Sequence, residues 1–418
     1  MSSRLGQMLP PAGAPRDLAM AQLANSVGDG AFVVTSALFF TRVVGLSTAE
    51  VGLGLTIAWL LGFLAGVPLG NLADRKGARG TAVLLALSTA TAVASFLVVR
   101  TFAGFLAAAI LYACSQTGLT AARQALLAGL VQPEERTRIR AFLQSTVNAG
   151  LAVGALLGGI ALRFDSKAAY LIVFGIDALS FLIAAALIRR VPSIATTIRS
   201  KGEPRLAVLH DRPYAVLALI NAVMLLFMPL ISLVGPLWIV TRTHAPSWVV
   251  ASLMIVNTIG VTLFQVRIAK SVKDLRTAAR SVRYAGLAML AACAVFAITA
   301  TDLGPAATTA VLVAAAALLT VGEMKLASGA WEISFGLAPA DKQGQYQGFF
   351  GTGPAIARML GPALLTTVIL GWGPVGWLVV GALFLGTSCA TGPAVRWAAR
   401  TRAVDEDATP SLAEENAV

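Results

Sequence analysis

Apolar residues run along this chain in long unbroken stretches, and polar residues gather in short gaps between them. Twelve stretches stand out, over residues 18–42, 49–71, 79–99, 102–128, 141–162, 170–188, 214–240, 248–266, 284–301, 306–330, 344–370 and 374–395. Most approach or exceed the ~20 largely apolar residues with which an α-helix crosses a hydrocarbon core ~30 Å thick. They are too long, and alternate too little, for membrane β-strands. The pattern predicts an all-α polytopic membrane protein. The longest internal polar segment, 189–213, divides the stretches six and six, into halves spanning 18–188 and 214–395. A disordered lead is expected over 1–17, which holds Pro10, Pro11 and Pro15, and a disordered acidic tail over 396–418.

Composition agrees: 57% of the residues are hydrophobic and 12% charged. The net charge of +12 invites a nucleic-acid reading, but its distribution argues for topology instead. Only Arg42, Arg100, Arg163, Lys167 and Arg242 lie in loops on the side opposite the termini, and Arg123, Lys325 and Arg358 lie inside spans. All other Lys and Arg share the side of the termini, which the positive-inside rule makes cytoplasmic. The expectation is a multi-pass protein of the inner membrane with both termini in the cytoplasm. Its basic face would attract anionic lipid. No basic cluster sits on a soluble domain, so no nucleic acid is expected. Cys114, Cys293 and Cys389 fall inside spans and imply no disulfide framework. No metal, cofactor or enzymatic constellation emerges, and His210 and His244 lie at opposite membrane faces.

The halves carry a faint repeat. Pro133-Glu134-Glu135-Arg136 precedes span 5, as Pro339-Ala340-Asp341-Lys342 precedes span 11. Gly154-Ala155-Leu156-Leu157 is echoed by Gly361-Pro362-Ala363-Leu364, at an offset of about half the chain. Paired halves with a site between them are the architecture of many secondary transporters.

The sharpest local signal is Gly70-Asn71-Leu72-Ala73-Asp74-Arg75-Lys76-Gly77-Ala78-Arg79, a helix end with an acid, a turn glycine and three cations. It resembles the loop 2–3 motif of the major facilitator superfamily. Gly70, Leu72, Ala73, Asp74, Arg75, Gly77 and Arg79 match in order, and Ala78 departs from a usual basic residue. The resemblance implies twelve helices in two pseudo-repeat halves, with Asp74 and Arg79 locking the halves on the cytoplasmic side. In span 5, Gly150, Gly154, Gly158 and Gly159 resemble the family's antiporter motif, with Ala155 in place of its proline. Such glycines also allow ordinary close helix packing. Span 4 lacks the Arg usual in proton-coupled exporters of the family, and Arg358 is a candidate to supply that cation from the other half. Gly351, Gly353-Pro354 and Gly361-Pro362 are points where span 11 can bend.

Charges at bilayer depth are costly and tend to mark pathways or pairs. Gln22, Asn25, Asp29 and Ser36 fall on one helical stripe, which places Asp29 against an interior or cavity and suits it to carry a proton. Asp177 sits at matching depth in span 6. Glu323 and Arg358 lie at similar depth on antiparallel helices and are expected to interact, Glu323 being a second proton candidate and Lys325 a competing partner. Gln116, Thr120 and Arg123 form a polar stripe in span 4. Asn25, Asp177, Arg358, Gln116, Asn221, Asn257, Phe32 and Trp331 are candidate cavity residues, with Trp59, Tyr112, Phe227 and Phe264 as further aromatics.

Together these features point to a secondary active exporter of a small amphipathic molecule, driven by protons and acting as a monomer. An importer or symporter on the same fold, or a transport-dead scaffold or sensor, are the alternatives. Three buried acids favour a lipophilic cation as cargo, while Arg358 fits an acid equally well.

Overall fold

The computed structural model describes residues 13–194, 206–246, 248–301 and 303–407. Among them are twelve helices long and apolar enough to cross a membrane, and no strand. In chain order they are α1 (Ala14–Val43), α2 (Thr48–Lys76), α3 (Ala78–Phe96), α4 (Phe102–Leu130), α5 (Pro133–Phe164), α6 (Lys167–Arg190), α7 (Arg212–Arg242), α8 (Trp248–Ala269), α9 (Leu275–Ile298), α10 (Pro305–Gly336), α11 (Ala340–Leu370) and α12 (Pro374–Arg402). An even number of crossings puts both ends of the chain on one face, hereafter the terminal face.

Several helices outrun their apolar stretches. α5 begins at Pro133 and α9 at Leu275, well before the predicted starts at 141 and 284. Arg136, Arg138 and Arg140 in one, and Arg276, Arg280 and Arg283 in the other, extend the helix past the hydrocarbon, where long cationic side chains reach the interface. α1 begins at Ala14, so the end of the expected lead is helical, and the final helix continues to Asp407, so the start of the expected tail is too. Residues 1–12 and 408–418, which hold the remainder of both, lie outside the described residues. So do 195–205 in the central segment, which is narrowed further by a 3₁₀ turn at Ala207–His210.

Each half has its own apolar core. In the first, the rings of Phe39, Phe40, Phe96, Phe105 and Phe174 interlock, Phe39 and Phe174 with centroids 4.4 Å apart. Edge-to-face and tilted geometries of this kind suit the ring quadrupoles. In the second, Phe296 stacks on Trp377 at 4.4 Å, and Trp238 Nε1 donates to Thr299 Oγ1 at 2.9 Å.

Small residues set the closest helix approaches, because without a hydrophobic drive between helices in lipid, packing decides. α1 crosses α5 at Gly30 and Gly154. A Cβ on Gly154 would stand 2.1 Å from the Val27 carbonyl oxygen, and one on Gly150 would stand 2.7 Å from Ser26 Cβ. Gly158 faces Ala31, whereas Gly159 faces open space, so three of the four motif glycines pack and the fourth does not. The repeated Gly361 does the equivalent work in the second half: its Cβ would meet Pro229 of α7 at 2.5 Å.

α7 and α11 are interrupted. α7 is regular over Arg212–Met224 and passes through a π-helical stretch at Leu230–Val234. α11 breaks between Gln343–Phe350 and Gly353–Leu365. Pro354 has no N–H for the Phe350 carbonyl, which favours the break there.

Gly154→Val is expected to destabilise the protein by about 1–3 kcal/mol through overpacking, and Gly159→Val by less than about 0.5 kcal/mol. Thermal melts followed by fluorescence-detected size exclusion compare the two. Equal melting temperatures would remove the steric account of the α1–α5 crossing.

Candidate functional site

The two halves meet at the terminal face. Asp74, at the end of α2, accepts hydrogen bonds from the backbone N–H groups of Gly344 at 2.6 Å and Gln345 at 2.9 Å. These amides open the regular part of α11, where a helix has unsatisfied donors and a partial positive charge. Glycines let the backbones touch: a Cβ on Gly70 would stand 2.1 Å from the Gly344 carbonyl oxygen, and one on Gly66 would stand 3.2 Å from that of Gly348. Nearby, Thr137 Oγ1 of α5 donates to Glu332 Oε2 of α10 at 2.5 Å. The Arg140 guanidinium lies 5.7 Å above the Trp331 ring. Ser145 Oγ donates to the Val261 carbonyl at 3.4 Å. Among the described residues, every hydrogen bond between α1–α6 and α7–α12 lies in the terminal half of the bundle.

The loop motif divides its labour. Asp74 crosses between halves as expected, and Gly77, with φ +95°, makes the turn from α2 into α3. Arg79 does not cross: its guanidinium donates to the Val191 carbonyl at 3.2 Å, at the end of α6 in its own half. Arg75 is exposed.

A polar network joins α1 to α4. Asp29 Oδ2 accepts from Asn25 Nδ2 at 3.2 Å, and Oδ1 accepts from Gln116 Nε2 at 3.2 Å and Tyr112 Oη at 3.3 Å. Arg123 donates to Gln22 Oε1 and Asn25 Oδ1, both at 3.2 Å. Of the stripe read from residue spacing, Gln22, Asn25 and Asp29 share this network, for which α4 supplies the partners, while Ser36 bonds only to the Val33 carbonyl of its own helix. Behind α1, Asp177 is fully buried against Gly28, with Ser180 Oγ 3.5 Å from Oδ1. It does not face a cavity, because α1 stands between.

In the second half, Glu323 Oε2 accepts from Asn257 Nδ2 at 2.5 Å, and the same amide reaches Thr320 Oγ1 at 3.3 Å. The expected Glu323–Arg358 interaction does not form. Glu323 turns to α8, while Arg358 lines a cavity bounded by α2, α4 and α11. Equal depth did not mean facing directions. No ion pair joins Lys325 to Glu323 either.

That cavity has a volume of about 480 Å³, within the range of small-molecule sites. Trp59, Leu60, Phe63, Gln116, Thr120 and Met359 share its wall with Arg358. Of the candidate cavity residues, Gln116 and Arg358 are in this wall. Asn25 is buried one layer back, as the bridge between Arg123 and Asp29. Phe32 is in the first half's core, stacked among Phe96, Tyr112 and Phe174. Trp331 belongs to the closed terminal face, under Arg140. Asn221 is buried in α7 beside Gly353, and Asn257 reaches only a narrow crevice with Thr320. Phe227 is core and Phe264 is exposed on the outer surface. The Thr137–Glu332 and Arg140–Trp331 contacts went unread, since pairs so far apart in the chain leave no local spacing; the mixed charges of Glu134 to Arg140 at the start of α5 were the available hint.

Twelve helices in two halves, closed at one face around an internal cavity, define a membrane transporter. The chain belongs to the Major Facilitator Superfamily, whose family model matches residues 18–362. It is 27% identical over 364 residues to the multidrug resistance protein MdtH of Cronobacter sakazakii (strain ATCC BAA-894), covering 83% of this chain and 86% of that protein. Its fold is similar to a bacterial homologue of the iron transporter ferroportin in the outward-facing state, with TM-score 0.72 at 16% identity over 93% of this chain and 99% of that one. It is also similar to the transporter FucP in the outward conformation, with TM-score 0.70 at 14% identity over 92% and 98%.

Asp74→Asn removes a charged acceptor from the α11 amides and is expected to weaken terminal-face closure by about 1.5–3 kcal/mol. Spin labels on the terminal ends of α2 and α11, read by double electron–electron resonance, should gain a longer-distance population. An unchanged distance distribution would deny Asp74 a locking role.

Proposed function

We propose that this transporter is a proton-driven exporter of small amphipathic molecules, working by alternating access. The terminal face is cytoplasmic on this reading, because most Lys and Arg lie there. The described conformation then has its cytoplasmic side closed. The protein resides in the inner membrane as a monomer and needs no cofactor. Its likeness to a multidrug resistance protein supports export and a broad, apolar cargo.

One observation carries the assignment of the proton site. Asp29 is held by Asn25, Tyr112 and Gln116, all neutral groups, and Arg123 bonds to the amide oxygens of Gln22 and Asn25 instead of to the acid. Asp29 can therefore gain or lose a proton without breaking an ion pair. Gln116 connects it directly to the cavity wall. Glu323, also held by an amide, is the second proton candidate. Arg358 supplies the cavity with the cation that α4 lacks at that depth.

Asp29→Asn keeps the size and most hydrogen bonds of the side chain but cannot ionise. In an efflux-deficient bacterial host at matched membrane expression, the parent protein is expected to raise tolerance to amphipathic toxins, and Asp29→Asn to return tolerance to that of the empty host. Full protection by Asp29→Asn would remove this carboxylate from coupling.

A further inference from the structure

We infer that the cavity between α2, α4 and α11 takes an amphipathic anion, its acidic group on Arg358 and its apolar body against Trp59, Leu60, Phe63 and Met359. The inference rests on the transporter reading above, takes this cavity as its cargo site and names the charge of the cargo.

The charge balance of the wall carries it. Arg358 is the one charged residue among those lining the cavity, and the polar ones beside it, Thr56, Gln116, Thr117, Thr120, Gln347 and Thr352, are neutral. Arg358 makes no hydrogen bond or ion pair with any described residue. A guanidinium presents five donors in a planar fork that fits a carboxylate, sulfonate or phosphate edge. Left unpaired near the middle of a span it is costly, and an anionic ligand is the natural relief.

The three acids near this depth are each withheld from the cavity. Asp29 is one residue back, its oxygens occupied by Asn25, Tyr112 and Gln116, and Asn25 in turn is bonded to Arg123. Asp177 is buried behind α1. Glu323 is turned to Asn257 in the other half. A cationic cargo would therefore meet the unpaired guanidinium before any carboxylate, at a distance where like charges repel strongly in a medium of low dielectric. Indole, phenyl and thioether surfaces on the same wall suit an aromatic or aliphatic body.

Three probes with one ring system separate charge from hydrophobicity: naphthylacetate, naphthylmethylammonium and naphthylmethanol. Binding is measured at neutral pH on the full chain in nanodiscs by scintillation proximity, with empty nanodiscs subtracted. Naphthylacetate is expected to bind and to be displaced by itself but not by the ammonium compound. Arg358→Gln should weaken it by about 10- to 100-fold, the loss for one hydrogen-bonded charge. Arg358→Lys, which keeps the charge without the fork, should recover part of that loss and shows that the position tolerates change if Arg358→Gln misfolds. Preferential binding of the cation or the alcohol, absence of naphthylacetate binding, or naphthylacetate binding by Arg358→Gln equal to the parent would each overturn the inference. Binding needs no gradient, so the two readings fail separately. Toxin protection without anion preference sinks the anion assignment alone, and anion binding without protection sinks the export reading alone.

Discussion

The closed end of this bundle depends on one carboxylate and two helix-terminal amides. α2 and α11 meet glycine to glycine, backbone against backbone, with few side chains to interdigitate. Lipid supplies little drive for such an approach. Asp74 adds what the bare contact lacks: two charge-assisted bonds on the positive end of a helix that belongs to the other half. The cavity above exists because α2, α4 and α11 are pinned together on one side only.

Two of the three acids at bilayer depth follow a common rule, and Asp177, beside Ser180, stands outside it. Asp29 and Glu323 are each satisfied by an amide of the same half, Asn25 and Gln116 for one, Asn257 for the other. Neither bridges the interface between halves. Contacts that do bridge it use a helix terminus, a hydroxyl or an aromatic face: Asp74 on α11, Thr137 with Glu332, Arg140 over Trp331. Protonation chemistry and closure are thus built from separate sets of side chains, joined through the helices that carry both.

Much of the fold was legible in the sequence because the bilayer acts as a strict solvent. Hydrocarbon demands long apolar runs, so helix number and the division into halves could be read from hydropathy alone. Helix ends were less legible at α5 and α9, since Arg140 and Arg280 lie on helix that has already left the apolar slab. Spacing along a single helix was a sound guide: Gln22, Asn25 and Asp29 share a face because 3.6 residues make a turn. Relations between helices were not. Depth is one coordinate, and the break in α11 at Gly351 and Thr352 helps set the rotation that aims Arg358 at α4 while Glu323 looks to α8. Phe32 and Trp331 failed as cavity residues for the same reason, their azimuth being decided by neighbours far away in the chain.

The break in α11 also fixes a pivot. Residues Gln343–Phe350 touch α2 of the opposite half while also bonding to α7 and α10 of their own through Tyr346, Gln347 and Gln343, whereas Gly353–Leu365 pack on α7 of their own. A relative tilt of the halves turns about the contact of that first segment with α2 and is eased by the few unwound residues that follow. Displacement grows with distance from such an axis, so the far mouth of the bundle sweeps the widest arc. Arg358 stands only about 10 Å along the helix from Gly351. A molecule held on its guanidinium would be turned toward a different exit while hardly being carried at all.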